Sequence, residues 1–194
     1  MNDYNKRSEI ERMALMLIFS KIYTGTENLD YYKGYTPAEG FDCYDGCGGY
    51  MNNGSITERH IYEVKVRDTH YDELMLEVKK LNDLNRKAKE FDANPYYISV
   101  TPQGTYIFKL KDKSGYSWEK RQMPVSTVDP SRGKINKEFT LLDCKYADMF
   151  FPNITSNIVK TKYDISKKSK NIKDLVDKEN CKKCEGLNFL FEKN

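Results

Sequence analysis

His60-Ile61-Tyr62-Glu63-Val64-Lys65-Val66-Arg67 is the stretch on which the reading of this chain turns. Side chains alternate across a strand, so Glu63, Lys65 and Arg67 share one face while Val64 and Val66 share the other and enter a core. Upstream, Phe41 to Met51 (FDCYDGCGGYM) reads as a second strand, with Asn52-Asn53-Gly54 as the turn between them. Pairing Asp45 with Glu63 centres this antiparallel hairpin on Gly54 and sets the two carboxylates side by side. Without a cation they would repel.

Mg²⁺, or Mn²⁺ in its place, removes that repulsion. Hard cations take oxygen ligands and keep water molecules for a phosphate substrate. Asp45 and Glu63 are the candidate ligands, with the Val64 carbonyl as a third. Lys65 is placed to hold a scissile phosphate or to help activate the attacking water. Asp45, Glu63 and Lys65 together suffice for hydrolysing a phosphodiester bond. The plainer alternative is a solvated strand laced with salt bridges, and a short motif does not separate the two.

Working outward, Ser8 to Tyr23 is expected to be a helix. Ser8 and Glu11 form a capping box, and Ile10, Met13 and Leu17 with Ala14 and Ile18 supply the apolar stripe. A second helix is expected over Asp72–Glu90, with Leu74, Val78, Leu81 and Leu84 as its stripe. Tyr96–Thr101 and Thr105–Leu110 are strands around a Pro102-Gln103-Gly104 turn. Lys111 to Lys137 is less regular, and Ile135–Leu142 is a strand or a short helix. The order helix, hairpin, helix, strand, strand makes an α/β domain with a mixed central sheet flanked by helices.

The D-(x)n-E-x-K pattern resembles the signature of the PD-(D/E)xK nuclease superfamily. The run YEVKVRDTHYDELMLEVKKLNDL followed by NPYYISVTPQGTYIFKL, and the later MPVSTVDPSRGKINKEFTLL, are similar to small phage and mobile-element members. The resemblance spans about Ser8 to Leu142. It implies a restriction-endonuclease-like core, a Mg²⁺-dependent nuclease and a nucleic-acid substrate, with DNA expected. A non-catalytic nucleic-acid- or partner-binding protein on the same fold is the rival. Glu63 and Lys65 match the motif directly. The family's Pro before Asp is absent, and Asp42 competes with Asp45. The hairpin register favours Asp45, and a regular strand cannot aim both at one face. Members also place an acid of the first helix near the metal, which Glu11 or Glu9 would match, although the capping box by itself explains Glu11. They carry a Lys or Gln on the second helix, where Lys80 borders the stripe more closely than Lys79. Arg67 would contact a phosphate through its bidentate fork, or form a salt bridge.

Composition sets the frame. The chain has 194 residues, enough for one domain with a real core, here residues 1–152, followed by a Lys-rich extension over 153–194. Hydrophobic residues make up 39% and charged residues 31%, which excludes a disordered chain. Net charge is only +3, leaving room for a homodimer or a protein partner to complete a binding surface. Lys160 to Lys173, dense in Lys, reads as a solvated tail or as a phosphate-tracking segment. The apolar run Met13–Phe19 is too short to span a bilayer, so no membrane association and a cytoplasmic, reducing setting are expected. The five Cys then stay as thiols. A structural Zn²⁺ held by Cys43, Cys47, Cys181 and Cys184 is disfavoured, because only one pair has C-x-x-C spacing. His60 and His70 are the only histidines, which excludes a His-rich catalytic centre. His70 is a general-base candidate weighed against an ordinary loop residue. Tyr116, Trp118 and Arg121 either stack on bases or serve the core.

Overall fold

The computed structural model describes residues 3–22, 30–35, 43–125 and 130–152. Its frame is a six-stranded mixed sheet built from β1 (Asp30–Tyr35), β2 (Gly46–Asn52), β3 (Ser55–Val66), β5 (Asn94–Thr101), β6 (Gly104–Lys109) and β9 (Met149–Phe151), in that spatial order. All neighbours are antiparallel except β3 and β5, which run parallel with Glu63 opposite Tyr97 and Lys65 opposite Ser99. The parallel pair requires a crossover. β4 (Glu73–Glu77) and α2 (Val78–Glu90) supply it. β4 also joins a second, three-stranded sheet in the order β4, β8 (Lys134–Asp143), β7 (Glu119–Pro124).

Alternation along β3 divides the interior. Tyr62 and Val64 face α1 (Asp3–Ile22) and pack with its Ala14, Leu15, Ile18 and Phe19, together with Ile98 and Val100 of β5. The Phe19 and Tyr62 rings meet edge-to-face at 5.0 Å. On the opposite face Ile61 and Tyr97 join Leu81, Leu84 and Ala88 of α2 and Leu74 and Leu76 of β4. Each fully buried Leu, Ile or Phe contributes roughly 1.5–3 kcal/mol. The sheet is thus held by a helix on each side, as the mixed α/β reading requires.

The hairpin register is as expected, by a compensated route. Asn53 (φ 49°) and Gly54 (φ 76°) form the left-handed pair of a two-residue turn, so Asn52 faces Ser55. That alone would misalign Asp45 and Glu63 by one residue. A bulge between Tyr50 and Met51 shifts the register, so that Gly46 faces Tyr62; one residue earlier, Asp45 bonds to both neighbours of Glu63, through its N–H to the Tyr62 carbonyl and through its Oδ2 to the Val64 N–H.

Several expectations are corrected. α1 begins at Asp3, so Ser8 lies inside the helix and no capping box forms there. Its buried stripe includes Leu15 and Phe19, whereas Leu17 is exposed. The β2 strand starts at Gly46, not Phe41. The supposed single helix Asp72–Glu90 is a strand followed by a helix. Leu74 and Leu76 are buried and Met75 between them is less so, the period of two that a strand imposes. The irregular stretch contains β7, and Ile135–Leu142 lies within β8. Asp42, the Lys160–Lys173 run, Cys181 and Cys184, and the extension 153–194 lie outside the described residues.

Candidate functional site

Five charged side chains meet at the carboxyl end of β3: Asp45 from just before β2, Glu63 and Lys65 from β3 itself, Lys80 from α2 and Glu11 from α1. Asp45 stands one residue before β2. Its backbone N–H donates to the Tyr62 carbonyl at 2.7 Å, and its Oδ2 accepts the Val64 N–H at 2.7 Å. The carboxylate therefore ends the β2–β3 ladder where a strand carbonyl would otherwise continue it. Glu63, on the α2 face of β3, is 6% exposed, so the solvated-strand alternative does not describe it. Lys80, from the first turn of α2, reaches its Oε1 at 2.8 Å. Lys65 extends from the same face of β3 to Glu11 Oε1 of α1, at 3.0 Å.

Glu11 and Lys80 thus join the centre along with Asp45, Glu63 and Lys65. The capping explanation for Glu11 fails because the helix starts well before it. The Val64 main chain is present through its bond to Asp45. Arg67 is placed differently from both expectations. Its Nε donates to Ser99 Oγ at 3.1 Å, and its Nη2 donates to the Met75 carbonyl and Tyr97 Oη at 3.2 and 3.0 Å. It ties β3 and β5 to β4 and makes no described ion pair.

The electrostatics follow from burial and crowding. Burial pushes the Asp45 carboxyl well above the usual carboxylate range, and the negative charges of Glu63 and Glu11 push the same way, against the Val64 N–H and Lys80. Burial likewise raises Glu63, though Lys80 and Lys65 oppose it. Burial alone would lower Lys80, but Glu63, Asp45 and Glu11 outweigh it and hold the ammonium firmly charged. Lys65 is raised in the same sense, burial being overcome by Glu11 and Glu63. The Lys80–Glu63 partners respond unequally because Glu63 is 8% exposed and Lys80 46%. Desolvation acts on both partners, and more strongly on the deeper carboxylate.

One atom is unspent. Glu63 Oε2 is buried and meets no hydrogen-bond donor among the described residues. Buried carboxylate oxygens are normally satisfied. An orphaned oxygen beside a second, half-buried carboxylate fits a divalent cation. Among the described residues no three His, Cys, Asp or Glu side chains form a ready-made cage. Mg²⁺ does not demand one, since it binds through one or two carboxylates plus water and substrate phosphate.

The remaining candidates fall elsewhere. His60 is buried in an aromatic cluster, with Nδ1 3.0 Å from Tyr62 Oη and Nε2 3.0 Å from Glu58. His70 contacts Thr101 Oγ1 and Asp72 at 3.1 and 3.4 Å. Trp118 is half-buried, its Nε1 bonded to the Lys113 carbonyl at 2.8 Å, with Tyr116 beside it. Cys43 and Cys144 are thiols, and Cys43 Sγ lies 3.6 Å from the Asp83 carbonyl. No helix of the described residues is long and apolar enough to cross a membrane.

No family model and no curated protein matches the chain. Among solved structures it is similar to Hjc of Archaeoglobus fulgidus, a Holliday junction resolvase from an archaeal hyperthermophile. Identity is 17%, coverage is 80% of this chain and 96% of that one, and the TM-score is 0.43. A likeness of that order does not decide function.

Proposed function

We propose that the chain is a metal-dependent nuclease of the PD-(D/E)xK type acting on DNA. The observation that carries this reading is the carboxylate pair of buried Glu63 and half-buried Asp45, with an orphaned Glu63 oxygen and two lysines in reach. Asp45, Glu63 and the Val64 carbonyl are the residues that would hold Mg²⁺ or Mn²⁺. Such an ion stabilises charge on phosphorus and lowers the pKa of attacking water. Lys65 remains protonated and orients the scissile phosphate or the water. Glu11 positions Lys65 through their 3.0 Å contact. Lys80 holds Glu63 in place and neutralises it until substrate arrives.

The test is cleavage of mixed single- and double-stranded DNA with Mg²⁺ or Mn²⁺. Glu63→Ala and Lys65→Ala should each abolish cleavage, a loss of at least about a hundredfold on the scale of single catalytic groups, with the fold intact by circular dichroism. Calorimetric Mg²⁺ binding should weaken in Glu63→Ala and persist in Lys65→Ala. Cleavage retained in both variants would sink the assignment. DNA binding without cleavage by the wild-type chain would favour a non-catalytic binding protein.

A further inference from the structure

β8 is longer than the strand it pairs with. Its residues Phe139 to Asp143 lie against β4, whereas Lys134 to Glu138 run on past the point where β4 turns into α2. Among the described residues only β7 pairs with them, from Lys120 opposite Glu138 to Pro124 opposite Lys134. A bond from Val125 N to the Gly133 carbonyl at 2.9 Å closes the far end. The result is a two-stranded ribbon extending past the end of β4 by about 17 Å, at 3.4 Å per residue.

The two faces of this ribbon differ. One is tethered at its root: Lys137 pairs with Glu77 at 2.9 Å, and Arg121 pairs with Glu119 at 2.6 Å and lies over the Phe139 ring. The other carries Lys120, Gln122, Lys134 and Asn136, all exposed. Its one acid, Glu138, is taken by Lys113 at 2.9 Å. Neither Lys120 nor Lys134 has an ion-pair partner among the described residues. The open face is therefore cationic and rich in amide groups, with its local negative charge already cancelled.

Glu77, at the root, directly precedes α2, and Lys80 of the candidate centre lies within the next turn of that helix. A polyanion held at the centre would pass the ribbon.

We propose that the β7–β8 ribbon is a duplex-DNA-binding arm that enters the major groove, with Lys120 and Lys134 on phosphates and Gln122 and Asn136 toward base edges. This rests on the nuclease reading and names its substrate as double-stranded. Two strands about 4.8 Å apart, with their side chains, match a major groove about 12 Å wide. The deep, narrow major groove of A-form RNA does not admit them. Asn and Gln are the side chains that pair bidentately with adenine.

The experiment is fluorescence-anisotropy titration of the full chain, with chelator present to prevent cleavage. The probes are a 30-base-pair DNA duplex, the same sequence as RNA duplex, and its single strand, over a salt series. The wild type should favour the DNA duplex. Lys120→Ala/Lys134→Ala should bind it about tenfold or more weakly, with a log–log salt slope reduced by about two, and with unchanged melting temperature. Wild-type affinity and slope in the double variant would overturn the arm even if Glu63-dependent cleavage stands. Equal wild-type binding to all three probes, or to none, would overturn it too. Loss of duplex binding in the double variant, with no cleavage by the wild type under Mg²⁺, would keep the arm and remove the nuclease.

Discussion

Asp45 shows how much of the site's behaviour is set by one side chain. Its carboxylate is half-buried, lies near two other acids and takes a backbone N–H, and its ionised form is the disfavoured one. An acid whose folded pKa is raised destabilises the fold progressively as pH rises from its unfolded value near 3.9 to its folded value, and fully above that. Asp45→Asn keeps an oxygen for Val64 and removes the charge. We therefore expect it to raise stability at pH 7.5 by about 0.5–2 kcal/mol, the usual size of gains at strained active sites, while abolishing cleavage. The gain should shrink on acidification toward pH 4. Thermal melts in chelator across that range check it, and a variant less stable at pH 7.5 would refute the electrostatic account. Glu63 and Lys65 were legible in the sequence because the acid-base alternation of β3 sits between apolar residues. Glu11 was obscured by a capping pattern, S-x-x-E, that the longer helix leaves unused. Arg67 could not be assigned, because its acceptors, the Met75 carbonyl of β4 and the Ser99 and Tyr97 hydroxyls of β5, come from two other strands.

Among the elements, α2 carries most of the local logic. It exits through a closing loop in which Asp92 N bonds to the Lys89 carbonyl at 3.3 Å and Ala93 N to the Ala88 carbonyl at 2.8 Å. Asp92 adopts φ 50°, the left-handed value that usually calls for glycine. Its 4.0 Å contact with Arg59 is solvent-exposed and contributes little. Asp92→Gly should then raise stability by about 0.5 kcal/mol, the relief of the left-handed penalty less the entropy glycine loses on folding, measured by urea denaturation at unchanged m-value. The opposite end of α2 shows the limit of periodicity. Leu74, Val78 and Leu81 fit one helical stripe as well as Leu74 and Leu76 fit a strand, so the boundary at Val78 was hidden. β4 exists because β8 pairs with it, a partner more than sixty residues away. The hairpin arithmetic succeeded because the bulge at Tyr50/Met51 offset the turn's true centre, a cancellation that pattern alone does not disclose.

For the molecule as a whole, the central sheet separates two cores that share no side chains. Phe19 belongs to the α1 side and Leu84 to the α2 side. Phe19→Ala should cost about 3–5 kcal/mol and Leu84→Ala about 2–5 kcal/mol. With no common partners the losses should add to within about 0.5 kcal/mol. A coupling above 1 kcal/mol in the double variant, read by chemical denaturation, would mean the sheet transmits strain between its faces. Where one variant leaves too little folded protein to measure, Ile98→Val with Leu81→Ala tests the same separation more gently.

The parallel β3–β5 pair has a consequence for the order in which the chain assembles. The β2–β3 hairpin is local and closes through two turn residues, so it is fast to form. It brings Asp45 and Glu63 together by itself. Their counter-charges arrive later: Lys80 only when the crossover through β4 and α2 docks, and Glu11 to Lys65 across 54 residues of sequence. Loop closure over such distances is the slow part of folding. The nascent hairpin is thus held open at its charged end, and long-range docking of both helices is what lets it shut.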